Sequence, residues 1–394
     1  MDILNYLNQF DLDIRKTKNA RFMDQKVTPD VLCIVADCII NFIGEDESNN
    51  ITFTSKDIWG HEYSNANVKE LFGKTDLNNK NASNEYDKFF QQPMKTMSYA
   101  KILKETKIGA RIYFTVIKSE ILNYISIKEN NSLTFLNVYL EKVLKDSGLW
   151  VEFENFFEMN NKDSLVILKK KYEEFIINNT PINGSLEVRR IFTKVLNPLS
   201  FKRKLHGVER GQFSSDIISN PQLFYNRKNW RDISKKKGET RGEYDLRNNE
   251  EKEVFKQKQK AYVKYSLSKA KGIVRKLHSP TSEIDDEFSN GNATHVHHIF
   301  MKSDYPIISS HIENLILLTP TQHYTKAHPN NTQIINRDYQ LSCLLHKINS
   351  IEIHSNTYSK EDLLFVIKEG LNKEFDPNIS YQDLKIELQN IYNQ

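Results

Sequence analysis

The stretch "THVHHIFMKSDYPIISSHIENLILLTPTQHYTKAHP", residues 294–329, decides how this chain is read. Eight of its eleven histidines fall between His295 and His354, and three of them crowd into positions 295–298. Val296 to Phe300 favours a strand, KSDYP is turn material, and Asn314 to Leu318 is a second short apolar strand. A helix start follows on three independent signals. Thr319 suits the N-cap, Pro320 the first helical position, and Gln322 completes a T-x-x-Q capping box. His323 therefore sits in the first turn of a helix that directly follows the second strand. The unit over 293–329 reads as strand, loop, strand, helix.

Upstream of it the chain is basic. Between Arg227 and Lys276 seventeen Lys and Arg stand against seven Asp and Glu, so this segment carries +10 in a protein whose net charge is only +4. Within it the spacing predicts a helix over 250–277. Val263, Leu267, Ala270, Val274 and Leu277 form one face, and Lys256, Lys260, Lys264, Lys271 and Arg275 form a neighbouring stripe. A charge cluster standing alone is usually a solvated face, but beside a phosphate-handling site it becomes a candidate track for a nucleic-acid backbone. Residues 279–292, SPTSEIDDEFSNGN, read as a loop, and residues 345–394 as two or three packing helices.

Residues 1–225 read as mainly helical. From Tyr86 to Asn130 the pattern suggests a helix, a turn at Gly109, a strand around Arg111 to Ile117 and another helix. That order is compatible with a winged-helix or helix-turn-helix DNA reader, and with many unrelated α/β arrangements. FKRKLHGVERGQF, residues 201–213, is an exposed basic loop. The chain is long enough for more than one core, and we divide it into 1–225 and 226–394, with an α+β fold class. Cys33, Cys38 and Cys343 form no CxxC pair and no even framework, so they are expected as buried thiols. With no secretion-signal pattern and no long uncharged apolar run, a soluble intracellular protein without a membrane partner is expected.

The His-His pair, the Asn before the second strand and the helix His, in this order and spacing, resemble the HNH nucleases of the ββα-metal class. The resemblance covers about 35 residues. It implies that His297 is a metal ligand, His298 the general base, Asn314 the residue that holds the loop and so orients the base, and His323 the second ligand. The residue types suit the chemistry. A neutral imidazole can take a proton from water near neutral pH, and a divalent cation can neutralise charge on the phosphate. Two imidazoles leave most of the coordination sphere open, as a catalytic site requires. The implied ion is one divalent metal per site, Mg²⁺ first, then Mn²⁺, with Zn²⁺ or Ni²⁺ behind them.

The sequence departs from the family pattern at two places. A third helix histidine usually follows the ligand by four residues, whereas His328 follows His323 by five, roughly 140° around an ideal α-helix. Both can face one ion only if the α-helix ends first, which Pro329 encourages. His328 is thus either a ligand or a phosphate contact. Lys326 lies on the helix face nearest the site and is a candidate phosphate contact. His295 stands where an acidic residue is common and is read as a structural hydrogen-bonding residue. His311, His346 and His354 are assigned no chemistry. Two alternatives stand beside this reading. A noncatalytic zinc site of His297, His323 and His328 would leave His298 without a purpose, and TPD at 28–30 resembles the start of a PD-(D/E)xK nuclease but lacks the acidic-x-Lys strand.

RIFTKVLNPLSF, residues 190–201, and LFYNRKNWRDISKKKGETRGEY, residues 223–244, look like the midsection of HNH-type type II restriction endonucleases, including shifted-cutting members. That resemblance implies a site-specific deoxyribonuclease of the prokaryotic cytoplasm. It implies cleavage of double-stranded DNA to 5′-phosphate and 3′-hydroxyl ends, a homodimer or transient dimer on DNA, and a cognate DNA methyltransferase in the host. Other HNH nucleases (homing, toxin or nicking) and a non-cleaving DNA-binding protein with a degenerate HNH unit are the alternatives.

Overall fold

The computed structural model describes residues 2–44, 51–74, 82–225, 241–329 and 336–393; at 82, 241–256, 258 and 259 only the backbone is described. Two compact units emerge, Asp2–Lys258 and Gln259–Gln394. The division falls inside one long helix and not at the 225/226 change of composition.

In chain order the first unit holds α1 (Ile3–Leu7), α2 (Ile14–Thr17), α3 (Pro29–Ile43), β1 (Thr52–Phe53), α4 (Ser55–Gly60), α5 (Glu62–Phe72) and α6 (Ala82–Tyr99). Then follow β2 (Leu103–Ile108), β3 (Arg111–Val116), α7 (Ser119–Ile127), α8 (Glu129–Asp146), α9 (Trp150–Met159), α10 (Lys162–Asn179), α11 (Ser185–Lys202) and the hairpin β4 (Val208–Glu209) and β5 (Gln212–Phe213). The central helix is α3. Pro29 opens it, and Val31 to Ala36 are buried without interruption, as expected of a helix that is apolar all round. It packs against α7 and α8 and against α4, α5 and α6. Asp30 of the TPD triplet accepts from Thr28 Oγ1 and from the Tyr225 amide with both carboxylate oxygens. Its role is local packing, and burial lifts its carboxyl to about 6.

The antiparallel sheet β1-β3-β2 corrects the expected pattern between Tyr86 and Gly109. The helix stops at Tyr99, Lys101 takes a left-handed conformation, and residues 103–108 pair with β3 from Leu103↔Val116 to Ile108↔Arg111. Only Leu103 of β2 is buried. This strand is held by its partner and not by an apolar face of its own, which is why its pattern gave no strand signal. Gly109, at φ +60°, makes the tight turn.

The long helix α12 spans Arg241–His278, starting earlier than the 250 expected. Its extra N-terminal turns lack an apolar stripe but carry Glu243 and Asp245 near the helix start, which favour a helix N-terminus. Ala270 and Val274 are buried as the spacing predicts, whereas Val263 is exposed. The second unit continues with β6 (His295–His298), β7 (Leu315–Leu318), α13 (Arg337–Ile353), α14 (Lys360–Leu371) and α15 (Tyr381–Tyr392). The last three correspond to the helices expected over 345–394, the first of them starting earlier, at Arg337. The protein is thus mixed helix and sheet, mostly helical with small antiparallel sheets. The three cysteines are buried and unbridged. Among the described residues no helix is long and apolar enough to cross a membrane.

Candidate metal centre

β6 and β7 pair antiparallel, with His295↔Leu318, Val296↔Leu317, His297↔Ile316 and His298↔Leu315. All four β7 side chains are buried, which anchors β6 and turns His297 inward, 3% exposed. The capping box after β7 is present: Thr319 Oγ1 accepts from the Gln322 amide at 3.1 Å, and Gln322 Oε1 accepts from the Thr319 amide at 3.0 Å. What it starts is not an α-helix. Residues Gln322–Ala327 form a π-helical turn, and the His328 amide donates to the carbonyl of His323, five residues back, at 3.0 Å.

That register removes the obstacle to His328. In an i→i+5 turn, residues five apart lie above one another. The ring centroids of His297, His323 and His328 stand 5.0–5.4 Å apart, and one ring nitrogen from each lies within 4.8 Å of the others. Each of the three rings also has one nitrogen, His297 Nε2, His323 Nδ1 and His328 Nδ1, that is buried without a hydrogen-bond partner. Buried polar atoms are rarely left so, and three imidazole lone pairs facing one space fit a transition-metal or divalent ion. Burial, then the neighbouring histidines, holds His297 well below the ordinary imidazole range, and burial first and His328 next lower His323 to about 4. His297 and His323 are therefore neutral and ready to ligate at pH 7.

His298, next along the strand, is outside the triad. Its Nε2 lies 3.1 Å from the Ser309 carbonyl, which fixes the proton there and leaves Nδ1 as the acceptor. Burial lowers its pKa to about 4, followed by the charges of Lys271 and Lys302. Asn314 is fully buried. Its Oδ1 accepts from the Phe300 amide at 2.8 Å, and its Nδ2 donates to the carbonyls of Phe300 at 3.0 Å and Ile308 at 3.2 Å. It staples both ends of the 299–314 loop, one residue from the carbonyl that holds His298.

The remaining sequence candidates divide. Lys271 is half-buried on α12 and its charge lowers His298 and His323; Lys260, Lys264 and Arg275 are exposed. The side chain of Lys256 lies outside the described residues, as does the whole of the basic segment before Arg241. Lys326 is drawn towards the preceding loop, pairing with Glu287 at 3.1 Å over the Phe288 ring. His295 bonds Thr294 Oγ1 and Tyr324 OH, as expected of a structural residue. Sequence reading missed Lys302, whose only signal was being the first cation after the histidine pair. It also missed the reach of Gln322 beyond its cap.

Comparison with known proteins finds no similar one: no family model, no curated protein and no solved structure matches this chain.

Proposed function

We propose that this chain is a metal-dependent, sequence-specific DNA endonuclease of the HNH type, with the second unit cutting and the first unit reading. The observation that carries the proposal is the set of three unpartnered imidazole nitrogens beside an independently held fourth imidazole. His297, His323 and His328 would hold the ion, which when bound supplies charge neutralisation at the phosphate and stabilises the leaving oxygen. His298 takes the proton of the attacking water at Nδ1, being neutral at pH 7 and fixed through Nε2. Asn314 keeps the Ser309 carbonyl in place behind it. Lys271 and Lys302 set a positive field suited to a phosphodiester. Mg²⁺ is the ion the sequence resemblance puts first, but three imidazoles favour a transition ion such as Mn²⁺, Zn²⁺ or Ni²⁺.

The reading half rests on topology. The succession α3, β1, α4 and α5, α6, β2, β3 with sheet order β1-β3-β2 supports a winged-helix-like DNA reader. On α6, Asn84, Lys88, Gln91 and Lys95 recur at helical spacing with none fully buried. Carboxamides and ammonium groups are the side chains that read base edges. The β2–β3 hairpin adds exposed Lys104, Lys107 and Arg111, suited to phosphates. A type II restriction enzyme of the prokaryotic cytoplasm, acting on duplex DNA as a dimer and protected by a methyltransferase, is the biological form of the proposal.

Incubation of phage DNA with Mg²⁺ or Mn²⁺ tests it: discrete bands are expected. A smear would leave a nonspecific nuclease, and uncut DNA a binding protein with a structural metal. His298→Ala should lower cleavage by at least about 10³-fold while metal and DNA binding persist; near-normal cutting would remove His298 from the mechanism. Replacing Lys260 and Lys264 by Gln should weaken binding to all sequences alike and lower the slope of log affinity against log salt by up to about two. A changed recognition site with an unchanged slope would show that the helix reads bases.

A further inference from the structure

We infer that Gln322 is a positioning residue whose buried carboxamide holds the i→i+5 register that makes His323 and His328 ligands of one ion. The inference rests on the metal reading of the triad and concerns a group that touches neither ligand's ring.

A carboxamide offers two donors and an acceptor oxygen with two lone pairs, and Gln322 uses all four. Oε1 accepts from Ser282 Oγ at 2.6 Å and from the Thr319 amide at 3.0 Å. Nε2 donates to the Ile284 carbonyl and to Asp286 Oδ1, both at 2.9 Å. Thr319, bonded to Gln322 on one side, donates its hydroxyl to the Phe288 carbonyl at 2.7 Å. The first residue of the turn is therefore bolted to the 282–288 loop, and that loop is itself tied to β7, since the Glu283 amide donates to the Leu317 carbonyl.

The far end of the turn is fixed too. Ala327 is fully buried, and Pro329 stops the helix after His328. Between a pinned Gln322 and a pinned Ala327 the chain carries one residue more than an α turn would hold between His323 and His328. Relaxation to the α register would swing His328 roughly 140° away from His323 around the axis and empty one ligand position. Nothing intrinsic to HYTKAH favours a π turn, which is uncommon on its own. The anchor at Gln322 is the feature that selects it.

Co²⁺ titration of the full-length protein, read by visible absorption, tests this without reference to DNA cleavage. Wild type should bind one tight equivalent. Gln322→Ala should weaken that binding by on the order of tenfold, as loss of a supporting shell does, and His328→Ala should weaken it as well. The double variant should bind no worse than His328→Ala alone, because Gln322 acts through His328. A melting curve establishes that each variant is folded. Should Gln322→Ala not fold, Ser282→Ala removes one of the four bonds from outside the turn and should give a smaller loss that again vanishes in the His328→Ala background. A folded Gln322→Ala that binds Co²⁺ normally, or a loss that persists in the His328→Ala background, overturns the inference while leaving the metal site intact. A wild-type protein that binds no Co²⁺ overturns both.

Discussion

Two buried polar clusters lie in the same unit and are built on opposite principles. In the first, Glu283, Lys347, Tyr358 and His278 satisfy one another. Lys347 and Glu283, both without exposure, pair at 2.5 Å; Lys347 also donates to Tyr358 OH at 3.0 Å; and that hydroxyl lies 2.8 Å from His278 Nε2. The second carboxylate oxygen of Glu283 accepts from the Leu317 amide of β7 at 2.8 Å. In the second cluster, His297, His323 and His328 present their ring nitrogens to one another, and each leaves one without a partner. A closed network has nothing left to offer a ligand, whereas unpaired lone pairs facing one point cost stability unless something fills the gap. The first cluster holds the strand, and the second is the place held.

The largest effect that would break this contrast is in the closed network. Lys347→Ala strands a buried carboxylate and should destabilise the protein by about 3–5 kcal/mol, with faster hydrogen exchange at the Leu317 amide. Pairing Lys347→Met with Glu283→Gln removes both charges while keeping an acceptor for Leu317, and should recover much of the loss. If Lys347→Ala leaves urea stability unchanged and instead abolishes metal binding, the two clusters have been assigned the wrong way round.

The contrast also explains which parts of the site were legible. The strand, loop, strand and capping box lie within a few residues of one another, so Thr319, Pro320 and Gln322 announce the helix start locally, and Asn314 staples a loop whose two ends it adjoins. The Glu283–Lys347 pair joins residues 64 apart in the chain, and no local pattern records it. The π register is hidden for the same reason. HYTKAH carries ordinary helix spacing, and the departure from it is imposed by Ser282, Ile284 and Asp286, some 40 residues upstream. Strand β2 was missed because its order comes from β3 across the hairpin. Local chemistry was readable; its distant supports were not.

A second, smaller effect sharpens the contrast from the open side. A ligand that binds only the native state stabilises it by about 2.7 kcal/mol at a hundred times its dissociation constant. Mn²⁺ or Co²⁺ at such a concentration should raise the melting temperature of wild type and not that of His297→Ala. In metal-free buffer His297→Ala should cost less than Lys347→Ala, since it leaves no unpaired charge behind. A metal-induced rise that survives in His297→Ala would place the ion elsewhere.

The smallest effect expected is on pH, and it separates the clusters by their protons. Burial, aided by Lys347 and His354, lowers His278 to about 4 even though Glu283 lies 3.3 Å away and pulls the other way. The unfolded chain titrates the same group near 6.5, so between pH 6.5 and 4 the unfolded state holds a proton that the native state does not. Stability from this group is complete above pH 6.5 and lost as the pH falls through the window. His278→Asn cannot take up that proton, so the slope of unfolding free energy against pH near 5.5 should be shallower than in wild type by up to about one proton. The difference should be the same with and without bound metal, because His278 belongs to the closed network. A difference that appears only when metal is present would mean that the two clusters share their protons, and the separation drawn between the cluster that holds and the cluster that is held would fail.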